Sequence, residues 1–229
     1  MQEGEGEDLL MLHGYLSCKE SFYYQIKYLS RFFSVTAPDI IGFGKSGQTD
    51  FAYGVPDYAN WLKEFIVSRN IKNPKIIAHS FGARVALKYI SGGGECARLI
   101  LTGGAGIVKP RSKSYIRKVK AYRRIKKLFP KFAEKHFGSE EYKTLSPVMK
   151  ESYKKIVNED LSACAKCVRC PTLLIYGRDD KTTPYFEEGK IFNSLIEGSR
   201  LKVIDGGHFC FSDSADIFNE LAYNFLTER

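Results

Sequence analysis

Apolar residues fall along this chain in two kinds of run. Short, mainly apolar runs at Leu9 to Leu12, Val35 to Ala37, Lys75 to Ala78, Leu99 to Thr102, Thr172 to Tyr176 and Leu201 to Ile204 have the length of buried strands. Between them, apolar positions recur every three or four residues, the period of a helix with one face on a core. This spacing predicts helices around Phe22 to Leu29, from Val55 to Ser68, from Gly82 to Ile90, and at the C-terminal end through Ile217, Phe218, Leu221, Phe225 and Leu226. Strands alternating with helices predict an α/β fold, a mainly parallel sheet with helices on both faces. The alternation stops between Lys109 and Ala165, where helical periodicity continues without a strand and the composition shifts to Lys, Arg, Tyr and Glu. The predicted organisation is therefore a core formed by residues 1–108 and 166–229, with an inserted helical cap over 109–165.

Size and composition narrow the class. A chain of 229 residues suits one domain, and 44% hydrophobic with 27% charged residues is ordinary for a folded globular protein. No apolar run approaches the roughly 20 residues needed to span a bilayer. Met1 to Asp8 is acidic where an export signal would begin basic and then turn apolar. The expectation is a cytoplasmic protein with no membrane contact. Its six cysteines, Cys18, Cys96, Cys164, Cys167, Cys170 and Cys210, are then expected as thiols. The C-x-x-C-x-x-C run ending at Cys170 superficially suggests a metal, but a closed site wants four ligands and only the distant Cys210 could be the fourth. The expectation is a helix-to-strand connection, with no metal and no cofactor.

The net charge of +9 is concentrated in one place. Between Lys109 and Lys135 stand twelve Lys or Arg and a single acid, Glu134. Ile116, Val119, Tyr122, Ile125, Leu128 and Phe129 mark an amphipathic helix there with a basic outer face. A solvated face is the first interpretation, attraction of anionic substrates the second, and a nucleic-acid or acidic-membrane surface the third. No nucleic-acid-binding motif accompanies the charge, so no such partner is expected. The glycine-rich loop Gly42 to Gly47 has neither spacing of the phosphate-binding motifs.

Three loops carry candidate chemistry, each after a predicted strand, and so at one edge of a parallel sheet. The first is Ala78-His79-Ser80-Phe81-Gly82. A serine needs a base to become a nucleophile, and it needs exposure, which a sharp strand-to-helix turn provides if the residues two before and two after it are small. Gly82 meets that condition, and Ala78 departs from the usual glycine by one methyl. The bland alternative is a serine that caps the following helix. For the base, His208 after the last strand is favoured over His79, whose side chain should diverge from the serine, over His136 in the basic segment, and over His13 at a turn; an ordinary loop histidine is the alternative. Asp180 is the candidate acid that orients the imidazole, in Gly177-x-x-Asp180-x-x-x-Pro184, with Asp179 as rival. The backbone N–H groups of Phe81 and Tyr15 are the candidate donors for a developing oxyanion.

Taken in order, Leu12-His13-Gly14-Tyr15, the run Ala37 to Ser46, the serine turn, Pro171 to Gly177 leading into Asp180, and Gly207-His208-Phe209 resemble the α/β-hydrolase fold family across nearly the whole chain. The resemblance implies a Ser-nucleophile hydrolase with a helical cap that governs substrate choice. It further implies a carboxylic-ester-hydrolase-like enzyme that uses Ser80, His208 and Asp180 to cleave an ester or related acyl bond through an acyl-enzyme. The expected partner is a small acyl substrate, with an anionic one favoured by the basic cap. A non-catalytic binding or signalling protein on the same scaffold is the alternative; a complete triad argues against it. Family members usually begin with a two-strand hairpin, and only eight residues precede Leu9. The hairpin is thus expected to be missing and the strand Val35 to Ala37 to lie at an open edge, with two alternative expectations: a homodimer that pairs it, or a chain that is a shortened version of a longer product.

Overall fold

The structure, a computed structural model, describes residues 1–108, 117, 142 and 145–228. Its sheet contains β1 (Gln2–Glu3), β2 (Asp8–Leu12), β3 (Ser34–Thr36), β4 (Lys75–His79), β5 (Arg98–Thr102), β6 (Thr172–Gly177) and β7 (Arg200–Ile204), in the spatial order β1-β3-β2-β4-β5-β6-β7. Every pairing is parallel except β1 on β3. The predicted strands are all present, with boundaries moved by a residue or so at either end.

The strands read as continuous apolar runs because both faces are covered. Leu10 and Leu12 of β2, Ile76 and Ala78 of β4, and Leu99 and Leu101 of β5 point into one core layer, with α2 (Val55–Ser68) and α3 (Phe81–Ser91) packed on it. Leu9, Met11, Ile77 and Ile100 point into the other, against α1 (Tyr23–Leu29) and the C-terminal helix Ala215–Thr227. Helix α2 starts where the sequence predicts: Gly54 donates its N–H to the Asp57 carboxylate at 2.7 Å, and Pro56 occupies the first turn, where its missing N–H costs nothing.

One expectation is corrected. The strand at 35–37 is not left at an open edge, because Gln2 and Glu3 pair antiparallel with Thr36 and Val35, and Met1 exchanges backbone hydrogen bonds with Ala37. A single short strand thus stands where a hairpin was expected to be missing, and the exposed edge on which the homodimer was argued is covered. The opposite edge, β7, carries Arg200 and Lys202, charges that discourage strand addition.

Two helices from the segment expected as a cap are described, α4 (Pro147–Asn158) and α5 (Ser162–Lys166). The basic amphipathic helix expected through 116–129, and residues 109–144 of that segment other than 117 and 142, lie outside the described residues. Among the described residues no helix is long and apolar enough to cross a membrane. Nor does any group of three or more His, Cys, Asp or Glu stand arranged to hold a metal. Cys164 and Cys170 border one core layer, whereas Cys210 is buried in the other, across the sheet.

Candidate active site

The sheet order sets the site. Chain connections leave β2 towards β3 on one side and return to β4 on the other, so a crevice opens at the carboxyl ends of β2 and β4, where open α/β sheets bind ligands. Leu12 pairs with Ala78, which puts the turn after β2 beside the turn after β4.

Ser80 lies between β4 and α3 with φ 50° and ψ −106°, a backbone conformation that non-glycine residues rarely adopt. The surrounding packing holds it there. A methyl group on Gly82 would lie 2.3 Å from the Leu12 carbonyl oxygen, so the start of α3 can sit against the end of β2 only with glycine at this position. Ala78 is wholly buried, its methyl accommodated in the core layer.

The three predicted side chains meet. His208 Nε2 is 3.0 Å from Ser80 Oγ, and His208 Nδ1 is 2.8 Å from Asp180 Oδ2. The aspartate fixes the proton on Nδ1 and leaves the Nε2 lone pair towards the serine hydroxyl. Asp180 is 4% exposed, whereas its rival Asp179 lies at the surface. Burial alone would raise the Asp180 pKa, but hydrogen bonds from His208, the Thr183 amide and the Thr183 hydroxyl outweigh it and hold the carboxyl at about 2. Its other oxygen, Oδ1, accepts from the Thr182 and Thr183 amides at 2.8 and 2.9 Å.

The remaining described histidines are occupied elsewhere. His13 donates from Nδ1 to the Gly14 carbonyl and accepts the Ile40 amide on Nε2 at 2.9 Å, tying the end of β2 to the loop after β3. Burial lowers its pKa. His79 turns away from Ser80 as expected and donates from Nδ1 to Thr102 O at 3.0 Å. Burial first, and then the neighbouring His208, pull its pKa down to about 3. His136 lies outside the described residues.

Phe81 is the first residue of α3, so its amide has no acceptor within the helix. Tyr15 follows β2 on the adjacent turn, and both residues line one cavity of about 670 Å³ together with Ser80 and His208. Helix α4 roofs it with Tyr153 and Ile156, and the Tyr15 hydroxyl donates to Met149 O of that helix at 3.3 Å. The glycine-rich loop is held by the preceding carboxylate of Asp39, which accepts the Lys45 amide at 3.0 Å, as well as the Lys19 ammonium at 2.6 Å and amide at 2.8 Å. That loop therefore braces the turn beside β3.

The family's sequence pattern, described as the α/β hydrolase fold, matches residues 9–146. The chain belongs to the α/β-hydrolase fold family. Among its relatives is the AB hydrolase superfamily protein YisY of Bacillus subtilis (strain 168), 25% identical over 97% of this chain and 92% of that protein. A bromoperoxidase from Bacillus anthracis shares the fold with a TM-score of 0.82 at 22% identity, covering 100% of this chain and 94% of its own. The esterase EaEST from Exiguobacterium antarcticum does so with 0.78 at 24%, over the same shares.

Within this α/β-hydrolase, several site residues went unpredicted. Thr183 supports Asp180 through its amide and through a hydroxyl 2.8 Å from Oδ2. Gly103, at φ 51°, lets the end of β5 pass His208: a methyl group there would meet the imidazole at 3.2 Å. The paired threonines after Asp180 were the available signal for the first, since an Asp commonly accepts amides two and three residues on. Nothing near Gly103 in sequence marks the second. Arg84 and Glu188 also line the cavity. Burial pulls the Arg84 pKa down, opposed by the nearby Glu188, Glu159 and Asp160.

Proposed function

We propose that the chain is a serine hydrolase that cleaves a carboxylic ester or a closely related acyl bond. The observation that carries this is the continuous Asp180–His208–Ser80 hydrogen-bonded chain, with Nε2 3.0 Å from Oγ, at the wall of a cavity large enough for a small substrate.

The chemistry follows from the protonation states. His208 Nε2 takes the Ser80 proton as Oγ attacks the acyl carbon, and the imidazolium is stabilised by Asp180, which remains ionised. The Phe81 and Tyr15 amides receive the developing oxyanion, and preorganised donors of this type contribute about 10²- to 10³-fold each. Collapse of the tetrahedral species passes the proton from Nε2 to the leaving alcohol and leaves Ser80 acylated. Water, deprotonated by the same nitrogen, then attacks the acyl carbon, and the Oγ–acyl bond breaks to release the acid as Nε2 returns its proton to Ser80.

Replacing Ser80 with alanine is expected to lower turnover of a short 4-nitrophenyl ester by up to about 10⁶-fold. A fluorophosphonate should label the wild type at Ser80 and leave the Ser80→Ala protein unlabelled. Full-rate hydrolysis by that variant would exclude the assignment.

A further inference from the structure

Arg84 stands four residues after Ser80 on α3, one turn or about 6 Å along the helix axis, and lines the same cavity. It is 8% exposed. One end of its guanidinium is committed: Nη1 donates to Ile156 O at 3.0 Å and Glu159 O at 2.9 Å, two carbonyls at the C-terminal end of α4. Nε and Nη2 have no acceptor among the described residues. Neither atom is among the fully buried side-chain atoms that lack a partner, so both keep solvent contact in a residue that is otherwise buried and lines the cavity.

The uncommitted pair is informative. Nε and Nη2 form the flat edge that takes both oxygens of a carboxylate in parallel hydrogen bonds. The nearby acids have other donors: Glu188 accepts the Ile107 amide at 3.2 Å, Glu159 pairs with Lys88 at 2.8 Å, and Asp160 accepts the amides of Val108 and Ser162. Arg84 thus divides by edge, with Nη1 holding the roof helix and Nε and Nη2 left to the cavity.

We propose that Arg84 binds a carboxylate carried by the substrate, so that the ester bears an acid group a few carbon atoms from its scissile carbonyl. This rests on the hydrolase function proposed above. The basic segment of the chain is not needed for the argument.

The test compares mono-4-nitrophenyl adipate, which carries a carboxylate, with neutral 4-nitrophenyl hexanoate. The wild type should favour the adipate in kcat/KM by about tenfold or more, the scale of one charge-assisted hydrogen bond. Arg84→Lys, which retains the charge but not the fork, should reduce that preference several-fold, and Arg84→Met should abolish it. If Arg84 only tethers α4, both rates fall together and the ratio holds, which overturns the proposal. Ser80-dependent cleavage of the hexanoate with no preference for the adipate would also overturn it while leaving the hydrolase assignment intact. If neither ester is cleaved, the hydrolase assignment fails, and calorimetry with monomethyl adipate decides the carboxylate site. Binding weakened several-fold by Arg84→Lys and lost in Arg84→Met supports the site; equal or absent binding overturns it.

Discussion

Ser80 takes a strained conformation that its neighbours impose, and the strain has a location that can be tested. At Gly82 a Cβ would overlap the Leu12 carbonyl, so Gly82→Ala must separate the start of α3 from β2. Overpacking of this kind costs about 1–3 kcal/mol or more, and the urea midpoint should fall accordingly. Asp180→Asn would leave the shape nearly intact but could no longer hold the Nδ1 proton of His208 by a carboxylate. The expected loss is about 10⁴-fold in kcat, measured with the same ester as for Ser80→Ala. Thr183→Val keeps both amide bonds to Asp180 and removes only the hydroxyl, so its effect should be far smaller, about tenfold or less in kcat/KM.

At the scale of elements, β1 contributes little burial and much pairing. Gln2 and Glu3 are polar, partly exposed residues held to β3 through backbone hydrogen bonds. Glu3→Pro removes a backbone donor from this strand and should loosen it, exposing the edge of β3. Sedimentation should then reveal stronger concentration-dependent association than in the wild type. An unchanged sedimentation profile would mean that the edge is protected by something other than β1. The pairing also explains why β1 escaped prediction. A two-residue polar strand has neither apolar run nor alternation, whereas β2, β4, β5 and β6 are buried on both faces and announce themselves as apolar runs. Helix α2 was legible for a different reason, since Pro56, Asp57 and its apolar period all mark the same start.

Across the whole molecule, acid should act through buried groups on both sides of the site. His13 and His79 have pKa values below the ordinary 6.5, to about 3 for His79, because burial favours the neutral ring. The unfolded chain therefore binds these protons first. Stability from the pair is fully present above about pH 6.5 and is lost as pH falls towards the folded values. Asp39 and Asp180, both held at about 2, add a second loss of the same sign below the unfolded value of 3.8. The melting temperature should decline steadily from pH 7 to pH 4, and His79→Gln should flatten that decline above pH 4. A flat profile in the wild type would contradict the buried neutral rings.

The sequence alone determined the alternation of strands and helices, the serine between a strand and a helix with Gly82 behind it, and the order serine, acid, histidine. Local rules suffice for these, because burial on both faces writes an apolar run and a sharp turn demands a small residue. Tertiary structure decided what depends on distance across the sheet. It buried Asp180 against His208 and left Asp179 at the surface, brought Thr183 and Gly103 against residues 180 and 208, and laid β1 along β3. It also set Arg84 between the roof helix and the cavity, a placement invisible in sequence because the carbonyls it meets lie more than seventy residues further along the chain.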